Sequence, residues 1–267
     1  MLALGLTAHS AVNIIGFNSP EWNISFFGSI FASYLPVGIY TTNSPEACKY
    51  IVLHSEAELI VAEDEEQLKK FLSIWDETPR VKMIVMYSEA IPTQVIPENR
   101  KNQVILFSDF LTLGKNYVAT SPEISLDYRM KKQKPGNCCT LVYTSGTTGP
   151  PKGVMISHDN YTWTSSYFLN KFGCDFGNER IVSYLPLSHV AAQIIDVTGS
   201  LIAGCEVTFA TPDALQGTLV EFLKEARPTL FFSVPRVWEK IEEKMKLMAS
   251  KNNFVLKSMG FQLKTYY

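Results

Sequence analysis

Short apolar runs rich in β-branched residues alternate with runs of helical periodicity along most of this chain. The runs that predict strands cover residues 12–17, 58–62, 81–86, 138–143, 180–184, 206–210 and 229–232. The runs that predict helices cover residues 20–34, 189–203, 213–225 and 235–248, and two more helices are predicted to open at Ser44 and Asp64. Strands that alternate with helices favour a mainly parallel sheet with helices on both faces. The sequence therefore predicts an α/β fold.

The alternation is interrupted between residues 88 and 137. This region holds four prolines, Pro92, Pro97, Pro122 and Pro135, and a basic run at 129–134. Proline lacks a backbone N–H and suits connections better than element interiors. We therefore predict a first α/β lobe over 1–87, an irregular surface connection over 88–137, a second α/β lobe over 138–253 and a divergent tail over 254–267. We expect the basic run to be a solvated face.

Composition excludes several classes of protein. The chain has 267 residues, of which 46% are hydrophobic and 19% charged, as in ordinary soluble domains. A net charge of −2 gives no field that would favour nucleic acid. The five cysteines include no C-x-x-C pair, which argues against a disulfide framework or a zinc site. The N-terminus lacks the basic region of a secretory signal. The apolar stretch 24–40 is interrupted by Pro36 and predicts a buried helix and strand rather than a membrane span.

The segment with the clearest chemistry is the loop at 143–153, Tyr-Thr-Ser-Gly-Thr-Thr-Gly-Pro-Pro-Lys-Gly. It offers four hydroxyls, two flexible glycines and one cation, from Thr144, Ser145, Gly146, Thr147, Thr148, Gly149 and Lys152. The glycines let backbone N–H groups face an anion. Such a loop between two strands can surround a polyphosphate with donors. The glycine spacing and the Pro-Pro before the lysine exclude a Walker A loop.

This loop resembles the phosphate-binding signature of the adenylate-forming (AMP-binding) superfamily. Segments 16–22, 38–47, 183–193 and 234–240 extend the resemblance to long-chain fatty acyl-CoA synthetases, most closely the bubblegum type. The resemblance covers nearly the whole chain and fades after about Asn253. It implies part of the large N-terminal domain of these enzymes, with mainly parallel sheets flanked by helices and the domain incomplete.

The resemblance also implies an activity and its ligands. In such enzymes a carboxylate attacks the α-phosphorus of ATP, pyrophosphate leaves, and coenzyme A thiolate then displaces AMP from the acyl-adenylate. The implied ligands are a fatty acid, ATP, Mg²⁺ and coenzyme A. The loop from Thr144 to Lys152 is then the ATP phosphate site, and Thr144 is also a magnesium ligand. His189 and Gln193 are placed beside the acyl and adenylate pocket, and Gln193 replaces the gating tryptophan of some bacterial relatives. The resemblance is also compatible with a cytoplasmic protein that contacts intracellular membranes peripherally.

The chain also departs from the resembled family. It does not contain the Tyr-Gly-x-Thr-Glu motif, the ribose-binding aspartate, the hinge or the catalytic lysine segment. We therefore expect a fragment or truncated form that is inactive alone, with no certain catalytic residue of its own. Two alternatives stay open. One is a non-catalytic product with weak nucleotide or protein binding. The other is adenylation of another carboxylic acid, such as an amino acid whose amine would need Asp196.

Overall fold

A seven-stranded sheet forms the centre of the structure, a computed structural model that describes residues 1–87, 90–144 and 150–251. Its strands are β1 (Ala11–Ile15), β2 (Leu35–Ile39), β3 (Ala57–Ala62), β4 (Met83–Met86), β5 (Val104–Leu106), β6 (Cys138–Thr144) and β7 (Lys152–Ser157). Their order across the sheet is β5-β4-β3-β1-β2-β6-β7. All neighbours run parallel except β6 and β7, which form an antiparallel hairpin. A second, parallel pair consists of β8 (Arg180–Ser183) and β9 (Glu206–Phe209).

Helices connect these strands. They are α1 (Pro20–Phe31), α2 (Pro45–His54), α3 (Glu65–Ile74), α4 (Phe107–Lys115), α5 (Leu126–Lys132), α6 (His158–Lys171), α7 (Val190–Ala192), α8 (Ser200–Ala203), α9 (Leu219–Ala226) and α10 (Pro235–Lys251). A π-helical segment, Gln193–Gly199, joins α7 to α8. Side chains of Ser19, Ser44 and Asp64 cap the first turns of α1, α2 and α3. These caps confirm the helix starts predicted at Ser44 and Asp64, since such residues satisfy N–H groups that a helix leaves unpaired.

The helices cover both faces of the sheet, as the strand composition predicts. Every residue of β1 and β3 is buried, which requires apolar cover on both sides. On one face Ile51 of α2 and Phe71 of α3 enter a common core. On the other face a second core contains Phe26 of α1, Phe107 at the start of α4 and Tyr161 of α6. The sheet is therefore the middle layer of three.

The region 88–137, predicted to be an irregular connection, contains regular elements. Strand β5 pairs with β4, and helices α4 and α5 follow it. The prolines lie outside these elements, so they punctuate the region without preventing its folding. Strands β6 and β7 join the same sheet as β1 to β5. The two predicted lobes therefore share one sheet, because β6 pairs with β2 and is not the start of a separate one.

The strand predicted over residues 229–232 is wrong. The N–H groups of Thr229 and Leu230 both donate to the carbonyl of Arg180, at 2.9 and 3.2 Å. The Arg180 N–H in turn donates to the Thr229 hydroxyl oxygen at 2.8 Å. Because two successive N–H groups converge on one carbonyl, this segment closes the start of β8 and does not continue as a ladder.

The chain divides into two compact units, residues 1–230 and 231–267. Within the second unit, α10 confirms the helix predicted over 235–248. Of its predicted apolar stripe, Val237 and Ile241 are half-buried, while Met245 and Met248 are exposed. The predicted tail, residues 254–267, lies outside the described residues.

Candidate nucleotide-binding site

The carboxyl ends of the parallel strands β1, β2, β3, β4 and β6 meet at one edge of the sheet. Ligands of open α/β sheets bind at this edge. Strand β6 ends there at Thr144, and the hairpin returns at Lys152, its partner in the register. The structure thus brings together two predicted site residues, both exposed. The predicted residues Ser145, Gly146, Thr147, Thr148 and Gly149 lie outside the described residues.

The direction of the strand crossovers changes between β1 and β3, which is a frequent place for a ligand crevice. Here that point is closely packed. Gly16 follows β1 with φ of 158°, and a Cβ there would lie 1.7 Å from the Tyr87 hydroxyl oxygen. The Glu63 carboxylate accepts a hydrogen bond from the Phe17 N–H at 2.7 Å. Burial raises the pKa of both Glu63 and Tyr87. Among the described residues, the region between β1 and β3 is therefore filled by side chains. The end of β6 instead exposes a hydroxyl group and a cation, those of Thr144 and Lys152.

Asn18 connects the second strand pair to this edge. Its side-chain amide donates to the Ser183 hydroxyl at 2.8 Å and to the Leu185 carbonyl at 2.9 Å. Its amide oxygen accepts from the Leu187 N–H at 3.3 Å. Asn18 is 5% exposed, so these bonds are shielded from water. The segment that follows β8 is therefore fixed against the loop after β1. The sequence offered no signal for this role beyond the resemblance of 16–22.

Gly38 permits a second close approach to the same segment. A Cβ at Gly38 would lie 2.8 Å from the Ser188 Cα, a contact that real Cβ atoms do not make. Burial raises the pKa of Tyr40, and Ser188 opposes that shift. The segment from Ser183 to Ser188 thus lies directly against the ends of β1 and β2.

The two predicted pocket residues lie in different surroundings. His189 is exposed and caps α7, its Nδ1 accepting from the Ala191 N–H at 3.2 Å. Gln193 is fully buried in the π-helical segment. Its Nε2 donates to the Leu187 carbonyl at 2.6 Å, and its Oε1 accepts from the Tyr161 hydroxyl. Both ends of the Gln193 amide are therefore engaged within the protein, beneath the segment that carries His189.

Asp196 is the buried acid of this region. Its side chain is 5% exposed. Burial raises the pKa of Asp196 to about 7, although Ser183 opposes the shift. A neutral carboxyl is a poor partner for an ammonium group, since it contributes no charge to the pairing.

Two further properties bear on ligands. Within residues 1–87, 90–144 and 150–251, no cluster of three or more His, Cys, Asp or Glu side chains could hold a metal ion. Thr144 offers one exposed oxygen, which fits a Mg²⁺ ion that is held mainly by phosphate oxygens and water. In the same described part of the chain, no helix is long and apolar enough to cross a bilayer.

The structure is thus a mainly parallel sheet between two layers of helices, with a hairpin loop at its carboxyl edge that is flanked by Thr144 and Lys152. The AMP-binding enzyme family matches residues 1–263, and the chain belongs to this family. The match extends past Asn253, where the resemblance was predicted to fade.

The chain is similar to several long-chain-fatty-acid–CoA ligases. The chain is 46% identical over 263 residues to the long-chain-fatty-acid–CoA ligase ACSBG2 of Xenopus laevis, covering 97% of this chain and 34% of that protein. It is 50% identical over 256 residues to ACSBG2 of Gallus gallus, covering 94% and 32%. It is 45% identical over 261 residues to ACSBG1 of Homo sapiens, covering 97% and 35%. The predicted resemblance to bubblegum-type ligases is confirmed. The chain spans about a third of the length of these curated relatives.

Solved structures share the fold. The A-PCP didomain of carboxylic acid reductase from Segniliparus rugosus, in complex with AMP, has a TM-score of 0.73 at 22% identity, covering 94% of this chain and 37% of that chain. The anthranilate CoA ligase AuaEII, in complex with anthranoyl-AMP, has a TM-score of 0.64 at 22% identity, covering 86% and 41%. These likenesses confirm the predicted fold class, a mainly parallel sheet flanked by helices in the N-terminal domain of adenylate-forming enzymes.

Proposed function

We propose that this chain forms the ATP-phosphate-binding part of a long-chain fatty acid–CoA ligase. The observation that carries the proposal is the pairing of Thr144 and Lys152 across the β6–β7 hairpin. The pair places a hydroxyl and an ammonium group at the two ends of the loop, on the edge where ligands of parallel sheets bind. The names of the relatives support a fatty acid and coenzyme A as the other substrates.

The chemistry assigned to the loop is electrostatic. A fatty acid carboxylate and the α-phosphate of ATP repel each other, so the reaction needs the phosphate charge to be offset and both anions to be aligned. Lys152 would supply a charge-assisted hydrogen bond to a phosphate oxygen. Thr144 would share Mg²⁺ with the phosphates, and that ion would offset further charge when bound. The segment of His189, fixed by Asn18 and Gly38, would border the acyl and adenylate pocket.

Asp196 supports a fatty acid over an amino acid as the substrate. An amino-acid site would need a charged, accessible carboxylate for the α-amine. Asp196 is instead buried, and burial raises its pKa to about 7. We also expect the chain alone to form no acyl-CoA, because the resembled family places its catalytic lysine and ribose ligand in motifs that these residues do not contain.

The test measures ATP binding to the 267-residue chain, and palmitoyl-CoA formation by a chimaera in which the chain replaces the matching third of the Xenopus laevis relative. Lys152→Ala removes a charge-assisted contact expected to contribute roughly 1.5–3 kcal/mol. ATP binding and chimaera turnover should therefore fall by about tenfold or more. Thr144→Val keeps the shape, and it should lower chimaera turnover mainly by raising the Mg²⁺ concentration required.

Lys131→Ala is the matched control, because Lys131 is an exposed lysine that pairs with the exposed Asp127. It should leave ATP binding and turnover unchanged. If Lys152→Ala and Thr144→Val retained the ATP affinity and turnover of the unsubstituted proteins, the phosphate assignment would be wrong.

A further inference from the structure

The base of the phosphate loop is held by Tyr143, the residue before Thr144. Its side chain is 7% exposed and belongs to the core shared with α2 and α3. Gly153 is its register partner on β7, and a Cβ added there would lie 3.2 Å from the Tyr143 ring. The Tyr143 ring therefore packs against the β7 backbone at Gly153, where the absence of a side chain leaves room for it. A single side chain thus contacts both strands that carry the loop.

The hydroxyl of Tyr143 reaches out of the hairpin to α2. It lies 2.8 Å from Nδ1 of His54, the last residue of that helix, and the two rings meet edge to face with centroids 5.6 Å apart. The His54 ring also stacks on Tyr50, one turn earlier, at 5.4 Å. The imidazole is therefore fixed by a ring on each side. Burial raises the pKa of Tyr143 to about 12, so the phenol keeps its proton at neutral pH and can donate it to Nδ1.

A further contact extends this arrangement to the central strand. Ser55, which follows His54, opposes the effect of burial on the pKa of the Tyr143 hydroxyl. The Ser55 hydroxyl oxygen accepts from the side-chain amide of Asn13 in β1 at 3.2 Å. Asn13 and Ser55 are both buried. The Tyr143 hydroxyl thus bonds to the end of α2, and the Asn13–Ser55 bond joins that end of α2 to β1.

We propose that Tyr143 and His54 are positioning residues for the phosphate loop, fixing the base of the β6–β7 hairpin so that Thr144 and Lys152 present their polar groups to a nucleoside triphosphate. This inference rests on the proposed function for its ligand. Donors that are already fixed bind an anion without a further ordering cost, so a looser hairpin should bind phosphates more weakly. Neither residue is a catalytic residue, because each acts through the loop.

Two substitutions separate the bond from the packing. Tyr143→Phe keeps the ring over Gly153 and removes the hydroxyl. His54→Leu removes the Nδ1 acceptor, whereas His54→Asn restores a hydrogen-bonding atom at the place of Nδ1. Tyr34→Phe is the matched control, since Tyr34 is also buried and its hydroxyl donates one hydrogen bond, to the Leu6 carbonyl at 3.2 Å.

The first readout is amide hydrogen exchange of the peptide spanning 138–144, the strand β6 that carries the base of the loop, in the 267-residue chain without nucleotide. Tyr143→Phe and His54→Leu should speed its exchange about tenfold, His54→Asn should recover most of the protection, and Tyr34→Phe should leave this peptide unchanged. The second readout is ATP binding. The two disruptive variants should bind about fivefold to tenfold more weakly, with a melting temperature no lower than that of Tyr34→Phe.

The outcomes distinguish this inference from the proposed function. Unchanged exchange of β6 in both disruptive variants, or equal acceleration in Tyr34→Phe, would overturn the positioning role. Faster exchange of β6 together with ATP affinity equal to that of the unsubstituted chain would overturn its link to the nucleotide. If the unsubstituted chain and the chimaera both failed to bind ATP, the proposed function would fail, while the exchange data would still decide whether Tyr143 and His54 fix the hairpin.

Discussion

At the scale of single residues, Asp196 illustrates how burial sets charge. Its carboxyl group lies in the π-helical segment with 5% exposure. Water is excluded, so the charged form is disfavoured and the pKa of Asp196 rises to about 7, with Ser183 opposing the shift. Asn18 donates to the Ser183 hydroxyl oxygen at 2.8 Å, which joins this region to the loop after β1. The acid therefore favours its neutral form in the folded chain.

The pH dependence of stability follows from that shift. Between about pH 4 and pH 7 the folded chain keeps a proton on Asp196 that the unfolded chain releases. The contribution of Asp196 to the free energy of unfolding therefore falls as pH rises through this window. Asp196→Asn lacks the titration, so its stability relative to the unsubstituted chain should increase by about 2 kcal/mol between pH 5 and pH 7, at about 1.4 kcal/mol per pH unit. Urea unfolding at both pH values measures this, and a difference that stays constant with pH would refute it.

Single residues of the site were predictable to different extents. Thr144 and Lys152 follow from the loop sequence, because hydroxyls, glycines and a lysine in close spacing have an evident use with phosphates. His54 and Asn18 were not predicted as part of this edge. His54 contacts Tyr143 across 89 positions of the chain, and Asn18 contacts Ser183 across 165. Such pairs arise from the sheet order, which strand periodicity does not reveal.

At the scale of elements, α5 is an example of a short helix that stabilises a longer one. The Arg129 guanidinium donates to the Ala32 carbonyl at 2.9 Å and lies over the Tyr34 ring at 5.1 Å. The Gln133 side chain donates to the Ile30 carbonyl at 2.7 Å. These carbonyls are at the end of α1, where a helix leaves acceptors unpaired and attracts positive charge. The basic run was expected to be a solvated face, but Arg129 and Gln133 cap α1.

Substitutions in α5 should therefore lower the stability of the chain unequally. Arg129→Met retains the apolar stem but removes the charge, and we expect it to cost roughly 1–3 kcal/mol because a charged donor to the helix end is lost. Lys131→Ala, two residues further along the helix, removes an exposed ion pair and should cost less than about 0.5 kcal/mol. Thermal or urea unfolding compares them. Equal losses in the two variants would contradict the capping role.

Regular alternation made most strands and helices of the sheet predictable, and its failures have physical causes. The three-residue strand β5 is too short to show a period, and pairing with β4 makes it a strand. The apolar run 229–232 has the composition of a strand, but the N–H groups of Thr229 and Leu230 both donate to the Arg180 carbonyl. In both cases the hydrogen-bonding partner of the segment, and not its local sequence, determines whether it forms a strand.

At the scale of the whole molecule, the notable feature is an aromatic surface on α6. One side of this helix is buried through Tyr161, Ser165 and Leu169. The opposite side exposes Trp163 at 66%, and its ring stacks on that of Tyr167 at 5.4 Å. Phe172, which follows the end of the helix, is 65% exposed and stacks on Phe168 at 5.8 Å. Aromatic rings grouped in water carry a cost that scattered apolar residues do not, and such groups favour association.

This surface should govern how the isolated chain behaves in solution. We expect the 267-residue chain to bind a hydrophobic dye and to form soluble oligomers at micromolar concentration, because the grouped rings lose contact with water when they meet a dye or a second copy. Trp163→Lys combined with Phe172→Lys should reduce dye fluorescence several-fold and shift the chain towards the monomer, as measured by light scattering after gel filtration. Val118→Lys is the matched control, since Val118 is 80% exposed but is not among these rings. A monomeric, dye-free chain, or an equal response to Val118→Lys, would mean that the aromatic side of α6 does not drive association.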